Sequence, residues 1–177
     1  MSTLVIDCSP REGGNSDIIR EHITDHYEVD CITLREYEYS PCNGCGYCEE
    51  RGMCRHNDSA RDILEEIMHH EDIIFVAPTY FYSFDAHTKA LIDRAQYLWS
   101  SCGSRERNRR LYLIAVGGQC RDIGYNGMVE TLRCFGITIG AQFVDGRYFG
   151  NVDKRGEIQL AGRIEELTAF LDEILTK

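Results

Sequence analysis

The chain has 177 residues, 43% of them apolar and 27% charged, with a formal net charge of −10. That balance describes a folded protein, and the acidic excess argues against binding nucleic acid or an anionic membrane. No apolar run approaches the roughly 20 residues of a membrane span, and the first residues lack the basic start and apolar stretch of a secretory signal. A cytoplasmic protein is expected, whose nine cysteines are free, metal-bound or redox-active rather than paired as disulfides.

The chain opens on a short strand, TLVID (Thr3–Asp7), followed by the loop SPREGGNS (Ser9–Ser16) and a helix over 16–27. A weaker strand, EVDCITL (Glu28–Leu34), leads into an irregular stretch, 35–57. Asp58 is placed to cap a helix carrying Ile63, Leu64, Ile67 and Met68 on one face, with His69–His70 as its solvated end. DIIFVA (Asp72–Ala77) is the third strand, and Asp85 caps a helix running to about Trp99. RERNRR (Arg105–Arg110) is expected as a solvated loop before the fourth strand, Leu111–Gly118. A helix over 123–136, a strand over Ile137–Gly146 and a helix with Leu160, Ile164, Leu167, Leu171 and Ile174 on one face complete the order. Strands apolar on both faces, alternating with amphipathic helices, predict an α/β doubly wound five-stranded parallel sheet, flavodoxin-like, in the order 2-1-3-4-5 with helices on both faces. One domain, 1–177, is expected, with a cysteine-rich loop at 41–57.

In such sheets ligands bind beyond the carboxyl ends of the strands. The loop after the first strand opens a helix, whose free N–H groups and dipole suit an anion. Ser9, Asn15 and Ser16 add donors, Arg11 adds charge, and Gly13 lets the backbone fold closely. The loop lacks the Lys-Ser/Thr of a P-loop and the GxGxxG of a dinucleotide fold; a terminal phosphate fits it, and turning and capping alone would also explain its composition. After the third strand, Pro78, Thr79, Tyr80, Phe81, Tyr82 and Ser83 present aromatic rings that could wall a flat heterocycle or pack in the core. After the fourth, Gly117, Gly118 and Gln119 offer backbone amides to a ligand's polar edge. Together these three features suit FMN.

These same stretches resemble the NAD(P)H-dependent FMN reductase family of flavodoxin-like proteins, and within it the iron–sulfur flavoproteins. SPREGGNS is similar to that family's phosphate loop, and PTYFYSFDAHTKALIDR (Pro78–Arg94) to its second flavin loop, with Pro78, Tyr80, Ser83, Lys89, Asp93 and Arg94 in matching places. The resemblance implies FMN with its phosphate at Ser9, Arg11, Asn15 and Ser16 and its ring against residues 78–83 and 117–119. It also implies NAD(P)H as electron donor and a homodimer or homotetramer. Cys8 and Tyr82 stand where the family often has glycine, and a ring at 82 would cover the flavin or narrow the nicotinamide site. Asp7 lies close to the expected phosphate and needs a partner such as Arg11, or must point away.

Cys42, Cys45 and Cys48 are spaced C-x2-C-x2-C, and Cys54 follows after five residues. The spacing is compact enough to wrap a cubane, though ferredoxin runs have x3 and a following proline; zinc sites more often join two separated pairs. The resemblance implies a [4Fe–4S] cluster on these four thiols, and zinc or free thiols remain alternatives. Cys31 and Cys134 are expected in the core, and Cys8 and Cys120 near the flavin without a catalytic role.

The expectation is an FMN-dependent, NAD(P)H-dependent oxidoreductase that passes electrons to a small-molecule or protein acceptor, through a cluster if one is present. No side chain need act as acid or nucleophile, because the cofactor carries the chemistry. The alternative is a non-enzymatic FMN electron carrier reduced by partner proteins. A phosphoacceptor signalling domain would need an acidic residue at the end of the third strand, where Ala77-Pro78-Thr79 stand.

Overall fold

The computed structural model describes residues 2–102, 108–120, 122–160 and 162–175. Five strands, β1 (Thr3–Asp7), β2 (Asp30–Thr33), β3 (Asp72–Pro78), β4 (Arg109–Val116) and β5 (Ala141–Phe149), form one all-parallel sheet in the order β2-β1-β3-β4-β5. The helices are α1 (Asn15–His26), α2 (Tyr47–Arg51), α3 (Ser59–His69), α4 (Ala86–Arg94), α5 (Gln96–Cys102), α6 (Ile123–Ile139) and α7 (Arg163–Leu175).

The unbroken apolar strands are explained by burial on both sides. Alternate residues of a strand point to opposite faces. Leu4, Ile6, Ile73, Phe75, Leu111 and Leu113 meet α3, α4 and α6 on one face. Val5, Ile74, Val76, Tyr112 and Ile114 meet α1 and α7 on the other. Each such side chain, once fully buried, contributes about 1.5–3 kcal/mol. All five strands end at one edge of the sheet, where the loops that matter for function begin. No helix among the described residues is long and apolar enough to cross a membrane.

Several local expectations are revised. Ile137 and Ile139 belong to α6, not to the last strand: Leu132, Phe135 and Ile139 share its buried face, and Gly140, in the left-handed region, ends the helix. The expected helix from Asp85 breaks at Ala95 into α4 and α5. The last helix starts at Arg163, and Leu160 is exposed. Cys31 and Cys134 are exposed rather than in the core. His70 is buried, with Nε2 2.9 Å from Asp30 and Nδ1 3.0 Å from the Glu66 carbonyl. Arg109 and Arg110 are part of β4, and Arg110 forks onto buried Asp72 at 2.5 and 2.6 Å; residues 105–107 lie outside the described residues.

Candidate functional site

The first loop rests on a buried acid–base cluster. Asp7, at the end of β1, is fully buried; it accepts from the Ser9 N–H at 3.0 Å and from Arg35 Nη1 at 2.8 Å. Arg35 also donates to Asp17 at 2.9 Å, and Asp17 accepts from the Gly13 N–H, so the loop is stitched from below. The partner of Asp7 is therefore Arg35, with Arg20 at 3.7 Å, and not Arg11. Burial, with Asp17 nearby, pushes the Asp7 carboxyl up to about 6. Burial acts on Asp17 in the same sense, but bonds from Asp7, Gly13 N–H and Arg35 hold it below the usual carboxylate range.

Of the expected phosphate donors, two are spent on shape. Ser9 Oγ donates to the Arg11 carbonyl at 2.8 Å. Asn15 donates from Nδ2 to the Lys154 carbonyl at 2.9 Å, and its Oδ1 accepts from the N–H groups of Gly156 at 2.9 Å and Ile158 at 3.4 Å. Arg11 and Ser16 stand in the wall of the cavity that results, which has a volume of about 210 Å³ and is closed on its far side by Pro78, Thr79 and Tyr80.

A second cavity, about 230 Å³, adjoins it, and Thr79, Gly117 and Gly118 line both. Phe81, Tyr82 and Gln119 complete its wall with Gly124 and Tyr148, two residues the sequence did not single out. Gly13 and Ser83 line neither cavity. The Gly117 N–H donates to the Phe149 carbonyl at 3.1 Å, and its carbonyl accepts from Val152 N–H at 2.9 Å. An amide edge for a ligand must therefore come from Gly118 and Gln119. A Cβ on Gly117 would stand 2.7 Å from Tyr148 Oη, so only a bare backbone fits between the two cavities.

The aromatic segment folds as a tight turn. Tyr80 and Ser83 exchange two backbone hydrogen bonds of 2.9 Å, and Phe81 and Tyr82 both have positive φ, 44° and 63°. That is the type I′ pattern, which favours glycine and asparagine; two aromatic residues there cost of order 1–3 kcal/mol each. Phe81 is 100% exposed and Tyr82 50%. Tyr82 is braced by α6, where a Cβ on Gly124 would come within 3.0 Å of its backbone and ring. Next along the chain, Asp85 caps α4 as expected, accepting from the N–H groups of His87 and Thr88 at 2.9 and 3.2 Å.

The four cysteines surround a separate cavity of about 370 Å³. Cys42 and Cys45 are exposed, and Cys48 and Cys54, on either side of Gly52, are half-buried. The stretch expected to be irregular contains α2, bounded by Gly46 and Gly52, both left-handed. Beneath it lies Arg94, whose side chain is 1% exposed. Arg94 Nη1 donates to the Ser40 carbonyl and to Asp58 Oδ2, both at 2.8 Å, and Nη2 donates to the His56 carbonyl at 3.3 Å. Asp58 also accepts from the Ser40 N–H at 3.1 Å. One ion pair thus clamps both ends of the cysteine loop, and the Asp58 carboxylate faces Arg94 instead of capping α3. Arg94 Nε and His56 Nε2 are buried in this wall without hydrogen-bond partners. Among the described residues no three His, Cys, Asp or Glu side chains are drawn close enough to hold a metal ion: the thiols ring the cavity without converging.

Residues 1–152 match the family described as NADPH-dependent FMN reductase. An iron–sulfur flavoprotein of Methanocaldococcus jannaschii is 31% identical over 140 residues, covering 76% of this chain and 71% of that protein. One from Methanosarcina thermophila is 32% identical over 153 residues, covering 83% and 79%. Among solved structures, an NAD(P)H:quinone oxidoreductase from Methanothermobacter marburgensis superposes with a TM-score of 0.68 at 15% identity, covering 96% of this chain and 92% of that one. That last likeness is one of fold.

Proposed function

The chain belongs to the NADPH-dependent FMN reductase family, and from that premise we propose where its cofactors sit and what its residues do for them. FMN would occupy the two adjoining cavities, its phosphate held by the first loop and its ring by the turn at residues 80–83. The observation that carries this is their adjacency: Thr79, Gly117 and Gly118 line both a polar cavity at a helix N-terminus and one walled by aromatic rings. Bound FMN supplies the redox chemistry, accepting hydride from NAD(P)H and giving electrons to a small-molecule or protein acceptor.

The residues present fit that group. Arg11 and Ser16 serve the phosphate, while Ser9 and Asn15 hold the loop in shape. Gly118 and Gln119 offer their amides to the ring edge, and Tyr82 stands at the open side, where it limits how a nicotinamide approaches. The acids below the loop are answered by Arg35 and Arg20.

The thiols of Cys42, Cys45, Cys48 and Cys54 would be the ligand set of an iron–sulfur cluster, closing in on it from the open ring they form around the cavity, and the cluster would add one-electron transfer. Four soft ligands around one cavity, with two buried polar nitrogens unpartnered in its wall, suit such a group. Anaerobically purified protein should show a flavin spectrum that NADPH bleaches, together with iron and sulfide. Cys45→Ser should lose the iron and keep the flavin. A wild-type protein colourless even after excess FMN would refute the flavin site; a flavin spectrum with no iron, or with zinc in its place, would refute the cluster alone.

A further inference from the structure

We propose that Arg155, on the loop between β5 and α7, is a second cation of the phosphate site, acting beside Arg11. The proposal rests on the FMN placement above. It concerns a residue beyond the family-matched stretch, which ends at 152.

Two guanidinium groups flank one pair of glycines. A Cβ on Gly14 would stand 3.4 Å from Arg11 Nε, and a Cβ on Gly13 would run into the Arg155 guanidinium. Gly13 is therefore bare for two reasons: its φ of +64°, and the cation packed against it. No carboxylate among the described residues forms an ion pair with either arginine. In a chain of net charge −10, two uncommitted cations at one loop need an explanation. Three of the acids nearby are already engaged. Asp7 and Asp17 face Arg35 from below. Glu157 accepts from the N–H groups of Asp153 and Lys154, both at 2.8 Å.

The position of Arg155 is built, not incidental. Asn15 holds the segment from Lys154 to Ile158 by three hydrogen bonds, so the helix that receives the phosphate also fixes the loop bearing Arg155. The charge count favours a second cation. A phosphate monoester carries about −1.5 to −2 at neutral pH, and Arg11 offsets one unit of it. Asp153 lines the same cavity, against Gly118, and adds repulsion. Arg155, like the Gly13 it packs against, stands outside the cavity's lining; from that loop edge its guanidinium offsets the excess negative charge by turning in over the loop, and its bidentate geometry suits phosphate oxygens.

The test compares dissociation constants of FMN and riboflavin, by flavin fluorescence, for the full chain and for Arg155→Ala and Arg155→Lys. Arg155→Ala should weaken FMN about 10-fold, the scale of one charge-assisted hydrogen bond, and leave riboflavin within about twofold; Arg155→Lys should fall between. Retained riboflavin binding shows that the variant is folded. An unchanged preference for FMN in Arg155→Ala, or equal loss of both flavins in both variants, overturns the role of Arg155 alone. A wild type that binds the two flavins equally overturns the phosphate site with both of its arginines, and one that binds neither overturns the flavin placement itself.

Discussion

Each of the two candidate sites is framed by a loop tied down through one buried side chain, but the ties differ in charge. In the groove proposed for the flavin the tie is Asn15, a neutral amide with three hydrogen bonds to the segment 154–158. In the cysteine cavity it is Arg94, which bonds Ser40, His56 and Asp58. On the groove side Arg11 and Arg155 form no ion pair with a described carboxylate, whereas the cavity spends its guanidinium on framework. A neutral tie can be cut with the loss of hydrogen bonds. A charged tie, once cut, strands its partner: the Asp58 side chain is only 20% exposed.

The largest contrast should come from removing the ties themselves. Arg94→Leu leaves Asp58 uncompensated and should cost about 3–5 kcal/mol in urea denaturation, the range for breaking a buried pair. A loss below about 1 kcal/mol would mean that Arg94 is not a framework cation. Asn15→Ala should cost less, about 2 kcal/mol, through unsatisfied backbone groups. It should also weaken FMN, because it releases the loop that carries Arg155; stability lost with FMN affinity intact would separate the tie from the site.

The smallest effect is one of pH. The folded-state pKa of Asp7 is raised to about 6, so the folded chain holds that proton more tightly than the unfolded one. The associated stability is fully present below the unfolded value near 4 and is lost as pH rises through about 6. Between pH 4 and 6.5 the wild type should lose about 1–2 kcal/mol relative to Asp7→Asn, with Asp17 offsetting part of a larger shift. A flat difference between the two proteins would show that burial does not control this carboxyl.

The sheet order was readable because β1, β3 and β4 are apolar on both faces, which only a covered central sheet explains. The cap at Asp85 was readable for a similar reason, that local chemistry and position agree. The start of β5 was misplaced because Ile137 and Ile139 are β-branched and yet continue the buried face of α6. The partner of Asp7 was unreadable: Arg35 lies 28 residues away and is brought close only by the pairing of β1 with β2. Arg94 was noted as a family match, but its two-ended grip on the cysteine loop depends on a fold through Ser40 and Asp58 that spacing does not reveal. The four thiols were legible as a group from spacing alone; their distances from one another were not.

The bonds of Asn15 also bear on how this protein can be shortened. A fragment stopping at Val152, where the family match ends, would discard Leu167, Phe170 and Leu171, which pack in one cluster with the sheet residues Val5 and Ile74. It would also take away every acceptor and donor that the Asn15 amide uses. The most recognisable part of the polypeptide is thus not self-sufficient: the loop proposed to take the phosphate is finished by the less recognisable tail, and truncation there would damage both the core and that loop at once.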